Sequence, residues 1–236
     1  MHKRIYSHVK KYISDHQHGF CEGRSTTTNL LTFWNYVSRL YWGRRTVDTI
    51  YTDFSKAFDS VSHTYLIQKL KSLGIHGTLL NWCKSYLSGR TFKVVFNGYM
   101  SDSFEIHSGV PQGSALGPLF FVIFINDLSQ ILTDLRVPQS HVFYADDLKI
   151  YLKIIDSNDS ERLQTALNSV WDWCNRWNLK LNLKKCQTIT FHSYRNLNIH
   201  ETAYHLNNYP LQRVNQINDL ESHYSQIVYL TCIFWN

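Results

Sequence analysis

The sequence predicts an α+β domain, and three observations carry that prediction. Segments with apolar residues at helical spacing alternate with short runs rich in β-branched and aromatic residues. Those runs are joined by hairpin signals such as Asn97-Gly98, so helices interleaved with hairpins are expected rather than a doubly wound parallel sheet. Neither an internal repeat nor a low-complexity linker interrupts the 236 residues. That length admits one large domain or two small ones. The 15% aromatic and 18% charged content is the reverse of a disordered profile.

The elements follow in order. Ile5, Tyr6, Val9 and Ile13 share one face of an amphipathic helix, and residues 16–24 form a loop containing Gly19, Phe20 and Gly23. Ser25 or Thr26 caps a helix bearing Leu30, Leu31, Trp34, Val37 and Leu40, which ends near Gly43. Thr46 to Phe54 reads as a strand. Ser62 caps a helix from His63 to Leu73, stopped by Gly74, and a further helix runs from Leu79 to Leu87 before Gly89. Phe92–Phe96 and Ser103–Ile106 flank the Asn97-Gly98 turn. After a glycine-rich turn, Ser108 to Ser114, a very apolar helix is expected over about residues 115–132. His141–Tyr144 and Leu148–Leu152 are two strands around Ala145-Asp146-Asp147. Asp159 or Ser160 caps a long helix with Leu163, Leu167, Val170, Trp171, Cys174 and Trp177 on its inner face. A basic turn (Leu181–Cys186), a short strand (Thr188–Phe191) and a weak hairpin around Asn207-Asn208 complete the pattern, which shows no period beyond Leu220.

A net charge of +6 and a pI near 9 point to an anionic partner, nucleic acid before a membrane surface. The five cysteines (Cys21, Cys83, Cys174, Cys186, Cys232) are scattered without C-x-x-C spacing, which supports neither zinc nor a disulfide framework. The basic N-terminus has no following apolar segment, and Leu119–Ile125 is too short to span a bilayer. The expectation is a soluble, intracellular chain with no membrane partner.

Chemistry concentrates at Asp146-Asp147. Two like charges between apolar strands repel each other and lose hydration, so they call for a cation or strong donors. The bland alternative is ordinary turn chemistry on a solvated loop. Asp53, ending the strand Thr46–Phe54, supplies a third carboxylate that could converge with this pair. Oxygen-only ligation of that kind suits Mg²⁺, and two such ions about 3.5–4 Å apart would serve an in-line nucleotidyl transfer.

Tyr51–Val61 (YTDFSKAFDSV), Ser108–Pro118 (SGVPQGSALGP) and Phe143–Asp147 (FYADD) come in the order and spacing of a reverse transcriptase. With Gln17–Thr26 (QHGFCEGRST), Trp177–Phe191 (WNLKLNLKKCQTITF) and Tyr204–Leu220, they make the chain resemble the reverse transcriptases of non-LTR, LINE-like retrotransposons over roughly residues 1–220. The resemblance implies a right-hand polymerase fold, with residues 1–45 as partial fingers and 46–220 as palm, into which a fingers segment, 64–90, is inserted. It also implies an RNA template, a DNA primer, a deoxynucleoside triphosphate (dNTP) and two Mg²⁺ ions, with Mn²⁺ as a possible substitute. Asp53, Asp146 and Asp147 would hold the metals, with the Phe54 backbone nearby. Phe58 matches the steric gate against a ribose 2′-OH, or else is simply core. Gln112 and Gly113 match the loop lying against the nascent base pair. Lys185 matches the acid that protonates the leaving pyrophosphate, with Lys184 leaving the register open by one. Arg24 is offered to the triphosphate, or is a surface arginine.

The chain departs from the family pattern at Cys21, where an arginine is usual. Residues 221–236 match neither the expected strand nor a thumb, and the first fingers motifs and an endonuclease domain are not expected within these residues. A second reading follows, in which the palm survives as an inactive remnant or a nucleic-acid-binding module.

Overall fold

The computed structural model describes residues 1–42, 46–135, 140–192 and 202–220. Helix α1 (His2–Val9) buries Ile5 and Val9 while Lys3 and Arg4 stay in water, as the amphipathic pattern requires. Helix α2 (Thr26–Trp42) turns Leu30, Phe33 and Val37 inward. Gly43, expected to end it, lies outside the described residues. Strand β1 (Thr46–Thr52) leads into α3 (Ala57–Ser60), a single turn that the periodicity does not announce. Helix α4 (His63–Ser72) starts at the predicted cap, where the Ser62 hydroxyl accepts from the Tyr65 N–H at 3.5 Å. Helix α5 (Gly77–Leu87) follows.

The predicted hairpin forms around Asn97-Gly98, both with left-handed φ (+47° and +82°). It is broken into two short ladders, β2 (Thr91–Phe92) with β5 (Phe104–Glu105), and β3 (Val95–Phe96) with β4 (Tyr99–Met100). Helix α6 (Gly117–Asp134) starts two residues later than expected, because the Ser114 hydroxyl accepts from the Gly117 N–H (3.0 Å) and Pro118 fills the first turn. Strands β6 (Ser140–Tyr144) and β7 (Asp147–Ile154) precede α7 (Ser157–Trp177). This last helix begins before the expected Asp159 or Ser160. Asp156 is the cap, accepting from the Asp159 N–H at 3.1 Å, and Asp159 returns the bond by accepting from the Ile155 N–H at 3.0 Å. Strands β8 (Gln187–Phe191), β9 (His205–Leu206), β10 (Tyr209–Pro210) and β11 (Gln212–Arg213) end the described chain. The β9–β10 turn is the hairpin predicted at Asn207-Asn208, and residues 221–236 lie outside the described set.

Five strands make the main sheet, in the order β11-β8-β1-β7-β6. All neighbours are antiparallel except β11, which joins β8 in parallel, an edge that local sequence does not betray. One face packs Ile50, Leu148, Ile150 and Leu152 against α6 and α7 in the larger core. The other packs Val47, Val142 and Tyr151 under Phe33 and Val37 of α2. Both faces are covered, so the central strands are buried almost throughout. No helix among the described residues is long and apolar enough to cross a membrane. The four described cysteines are free and buried.

Candidate active site

The β6–β7 hairpin closes on the pair Tyr144↔Asp147, leaving Ala145 and Asp146 as a two-residue turn with Ala145 at φ +54°. In the neighbouring ladder the last pair is Thr52↔Leu148, so Asp53 leaves β1 at the level where Asp147 enters β7. Its backbone is fixed from the other side. The Asp53 carbonyl accepts from the Asn182 N–H (2.7 Å), Phe54 bridges Leu181, and the Ser55 N–H donates to the Lys180 carbonyl (2.7 Å). This loop carries Lys185, whose Nζ lies 3.8 Å from Asp53 Oδ1 and is 67% exposed, whereas no ion pair joins Lys184 to Asp53.

Asp146 and Asp147 both feel the charge of Asp53. Loss of water raises the Asp146 carboxyl, and the Asp53 charge raises it further against the pull of Lys185. Asp147 is pushed up to about 7, first by loss of water and then by the Asp146 charge, with Asp219 and Asp53 adding smaller shares and Lys149 opposing. Asp147 still reaches solvent, so water screens part of this repulsion. A divalent cation would relieve all three groups, and the donor set is oxygen-only, which fits Mg²⁺. Yet among the described residues no set of three His, Cys, Asp or Glu side chains is already gathered to hold an ion. The sequence expectation of full convergence therefore needs side-chain rotation at the tip, or ligation by fewer carboxylates with backbone oxygens.

Phe58 is half-buried, stacked on Phe121 at 4.4 Å and meeting the exposed Phe20 edge-on at 6.0 Å. Its backbone carbonyl accepts from the Val110 N–H (2.8 Å), which ties α3 to the glycine-rich turn. In that turn Gln112 donates to Asp59 Oδ1 (2.8 Å) and is exposed. Gly113 faces open space at φ +73°, while Gly109 is the position of close approach, where a Cβ would sit 2.8 Å from Asp59 Cα. Arg24 is turned onto its own loop. Its Nη1 donates to the Ser14 and Gln17 carbonyls (2.7 and 2.6 Å) and its Nη2 to Asp15 (2.7 Å).

Two groups near the tip are not singled out by the sequence reading. Gln17, buried, hydrogen-bonds the Ala145 backbone. Lys149, two residues past Asp147, forms a buried ion pair with Asp219 at 2.6 Å and donates to Asn29 Oδ1 at 2.9 Å. Burial lowers the Lys149 pKa and Asp219 opposes that shift. Strand alternation offers the signal for Lys149. It shares an inward face with Tyr151, and a buried lysine needs a carboxylate.

The family described as reverse transcriptase (RNA-dependent DNA polymerase) matches residues 1–233. A probable RNA-directed DNA polymerase from transposon BS of Drosophila melanogaster is 33% identical over 184 residues, covering 75% of this chain and 20% of that protein. The RNA-directed DNA polymerase from mobile element jockey of Drosophila funebris is 32% identical over 189 residues, covering 78% of this chain and 20% of the relative. The chain thus spans about a fifth of the length of these curated relatives. Among solved structures, telomerase from Candida tropicalis with the TWJ fragment of telomeric RNA superposes with a TM-score of 0.58 at 14% identity, over 80% of this chain and 32% of that one. Telomerase from Candida albicans gives 0.56 at 15% identity, over 82% and 34%. These likenesses identify the fold as a polymerase palm. The chain belongs to the reverse transcriptase (RNA-dependent DNA polymerase) family, among the polymerases of non-LTR retrotransposons.

Proposed function

We propose that this chain carries the nucleotidyl-transfer centre of an RNA-directed DNA polymerase, which adds deoxynucleotides to a DNA primer on an RNA template. The observation that carries the reading is the carboxylate cluster at one end of the β1–β7 ladder, where Asp146 and Asp147 are both raised although Lys185 and Lys149 partly offset them. Asp53, Asp146 and Asp147, with the Phe54 backbone beside them, would hold divalent ions of the Mg²⁺ class. Bound there, such ions supply Lewis-acid activation of the primer 3′-hydroxyl and stabilise the leaving pyrophosphate.

The chain's own residues do the rest. Lys185 would deliver a proton to the pyrophosphate, a role that its exposure beside Asp53 supports. The half-exposed Phe58 ring offers bulk against a 2′-OH, held from behind by Phe121. Gln112, oriented by Asp59, and Gly113, with open space beside it, form the surface for the nascent base pair. Arg24 would reach a triphosphate only by releasing a carbonyl or Asp15. In domain terms, residues 1–45 act as partial fingers and residues 46–220 as palm, into which the fingers segment 64–90 is inserted.

The test is primer extension on an RNA template with Mg²⁺, using a protein that contains this chain. Asp146→Asn is expected to abolish synthesis and to leave primer–template affinity nearly unchanged, because phosphate contacts elsewhere carry binding. Equal synthesis by the variant contradicts the assignment. Binding without extension by the unaltered protein, at any Mg²⁺ or Mn²⁺ concentration, favours a nucleic-acid-binding module instead.

A further inference from the structure

We propose that Gln17 is the positioning residue of the carboxylate hairpin, holding Ala145 in its left-handed conformation and thereby aiming Asp146 and Asp147. Ala145 has a Cβ, and φ +54° is disfavoured for such a residue, so something outside the turn must hold it. Gln17 supplies that hold on both polar groups of the residue. Its Oε1 accepts from the Ala145 N–H at 2.9 Å and its Nε2 donates to the Ala145 carbonyl at 3.2 Å. The same oxygen accepts from the Gly19 N–H at 2.7 Å, and the side chain is shut away from water.

The backbone explains why a side chain is used here. Residues 16–18 run beside β6 as a short parallel partner, with the Phe143 N–H donating to the His16 carbonyl and the His18 N–H donating to the Phe143 carbonyl, both at 2.8 Å. The β6 ladder ends at Tyr144, and beyond it the Gln17 amide takes the place of a strand partner for Ala145. Gly19 lets the two chains meet, since a Cβ there would lie 2.2 Å from the Ala145 nitrogen. Arg24 pins the loop by donating to the Gln17 and Ser14 carbonyls. The clamp is neutral, so it fixes direction without adding charge to a cluster already crowded with it.

This inference rests on reading the tip as a metal-binding centre, and the experiment separates the two. Amide hydrogen exchange at Ala145 and Ile150, together with Mn²⁺ binding, are measured in the unaltered protein, in Gln17→Met and in Gly19→Ala. Each substitution should speed exchange at Ala145 by about 10- to 100-fold while Ile150, mid-ladder in β7, changes by less than about twofold. Mn²⁺ affinity should fall by about 10- to 100-fold. Unchanged exchange at Ala145, or Ile150 accelerating in step with it, overturns the clamp. A freed Ala145 with unaltered Mn²⁺ affinity overturns the aiming role. If the unaltered protein binds no Mn²⁺, the metal-centre reading fails, and exchange at Ala145 still decides the clamp.

Discussion

Asp48 and Asp53 sit near opposite ends of one strand run, and the chain surrounds them in opposite ways. Asp48 is fully buried and fully answered. Tyr204 and Thr190 each donate a hydroxyl to it at 2.7 Å, and the Arg213 guanidinium stands 3.6 Å away. Arg213 is itself held by Thr190 and by the Thr202 carbonyl at 2.5 Å. Asp53 is half-buried, and its ion-pair partner is the largely exposed Lys185 at 3.8 Å, with Asp146 and Asp147 as like-charged neighbours. The fold can therefore satisfy a carboxylate on this strand when it needs to. Leaving a cluster of them only partly answered costs stability, which is the signature of a site built for something that arrives later.

The sharpest way to break this comparison is at its closed end. Asp48→Ala strips the counter-charge from Arg213 and removes the acceptor of the buried Tyr204 hydroxyl and of the half-buried Thr190 hydroxyl, and should cost about 3–5 kcal/mol in urea unfolding. A loss under about 1 kcal/mol would mean that Asp48 behaves like a surface charge. At the open end Phe58→Ala should cost less, about 1–2 kcal/mol, because the ring is only half-buried. Its signature is selective, a rise in ribonucleotide relative to deoxyribonucleotide incorporation. If both incorporations fall together with the fold, the ring is core and no gate.

A further difference is in pH dependence. The Asp147 carboxyl titrates at about 7 in the folded chain against an ordinary 3.8, so between these values the folded state keeps a proton that the unfolded state has released. Metal-free stability should fall as pH rises from about 4 to about 7 and level off above, and Asp147→Asn should flatten that slope. An unchanged slope in the variant would place the titrating group elsewhere.

Sequence alone reached the open end more easily than the closed one. Asp146-Asp147 stands out because two carboxylates interrupt apolar strands, and Asn97-Gly98 and Asn207-Asn208 because both turns use left-handed residues that few side chains tolerate. Which of Lys184 and Lys185 faces Asp53 is decided by the fold, since adjacent lysines are equivalent in a string. Asp48 lies in a β-branched run that flags a buried charge, but Thr190, Tyr204 and Arg213 come from segments far along the chain. Gln17 reaches Ala145 across 128 residues, and Asp219 reaches Lys149 from beyond the last strand. Local pattern constrains neighbours on one element, and these contacts join elements whose pairing only the folded sheet decides. The start of α7 is ambiguous in the sequence for a smaller reason. Asp156 and Asp159 are both competent caps and bond each other's turn.

The central claim is that the open carboxylates exist to receive a divalent cation, and the most direct measurement is the urea midpoint at pH 8 with and without Mg²⁺. A ion bound only by the folded chain adds about 2.7 kcal/mol at a hundredfold excess over its dissociation constant. The unaltered protein should gain stability as Mg²⁺ rises, while Asp146→Asn should start equal or higher, one repulsion having been removed, and respond little. A midpoint indifferent to Mg²⁺ in the unaltered protein, or an equal gain in Asp146→Asn, would contradict the account.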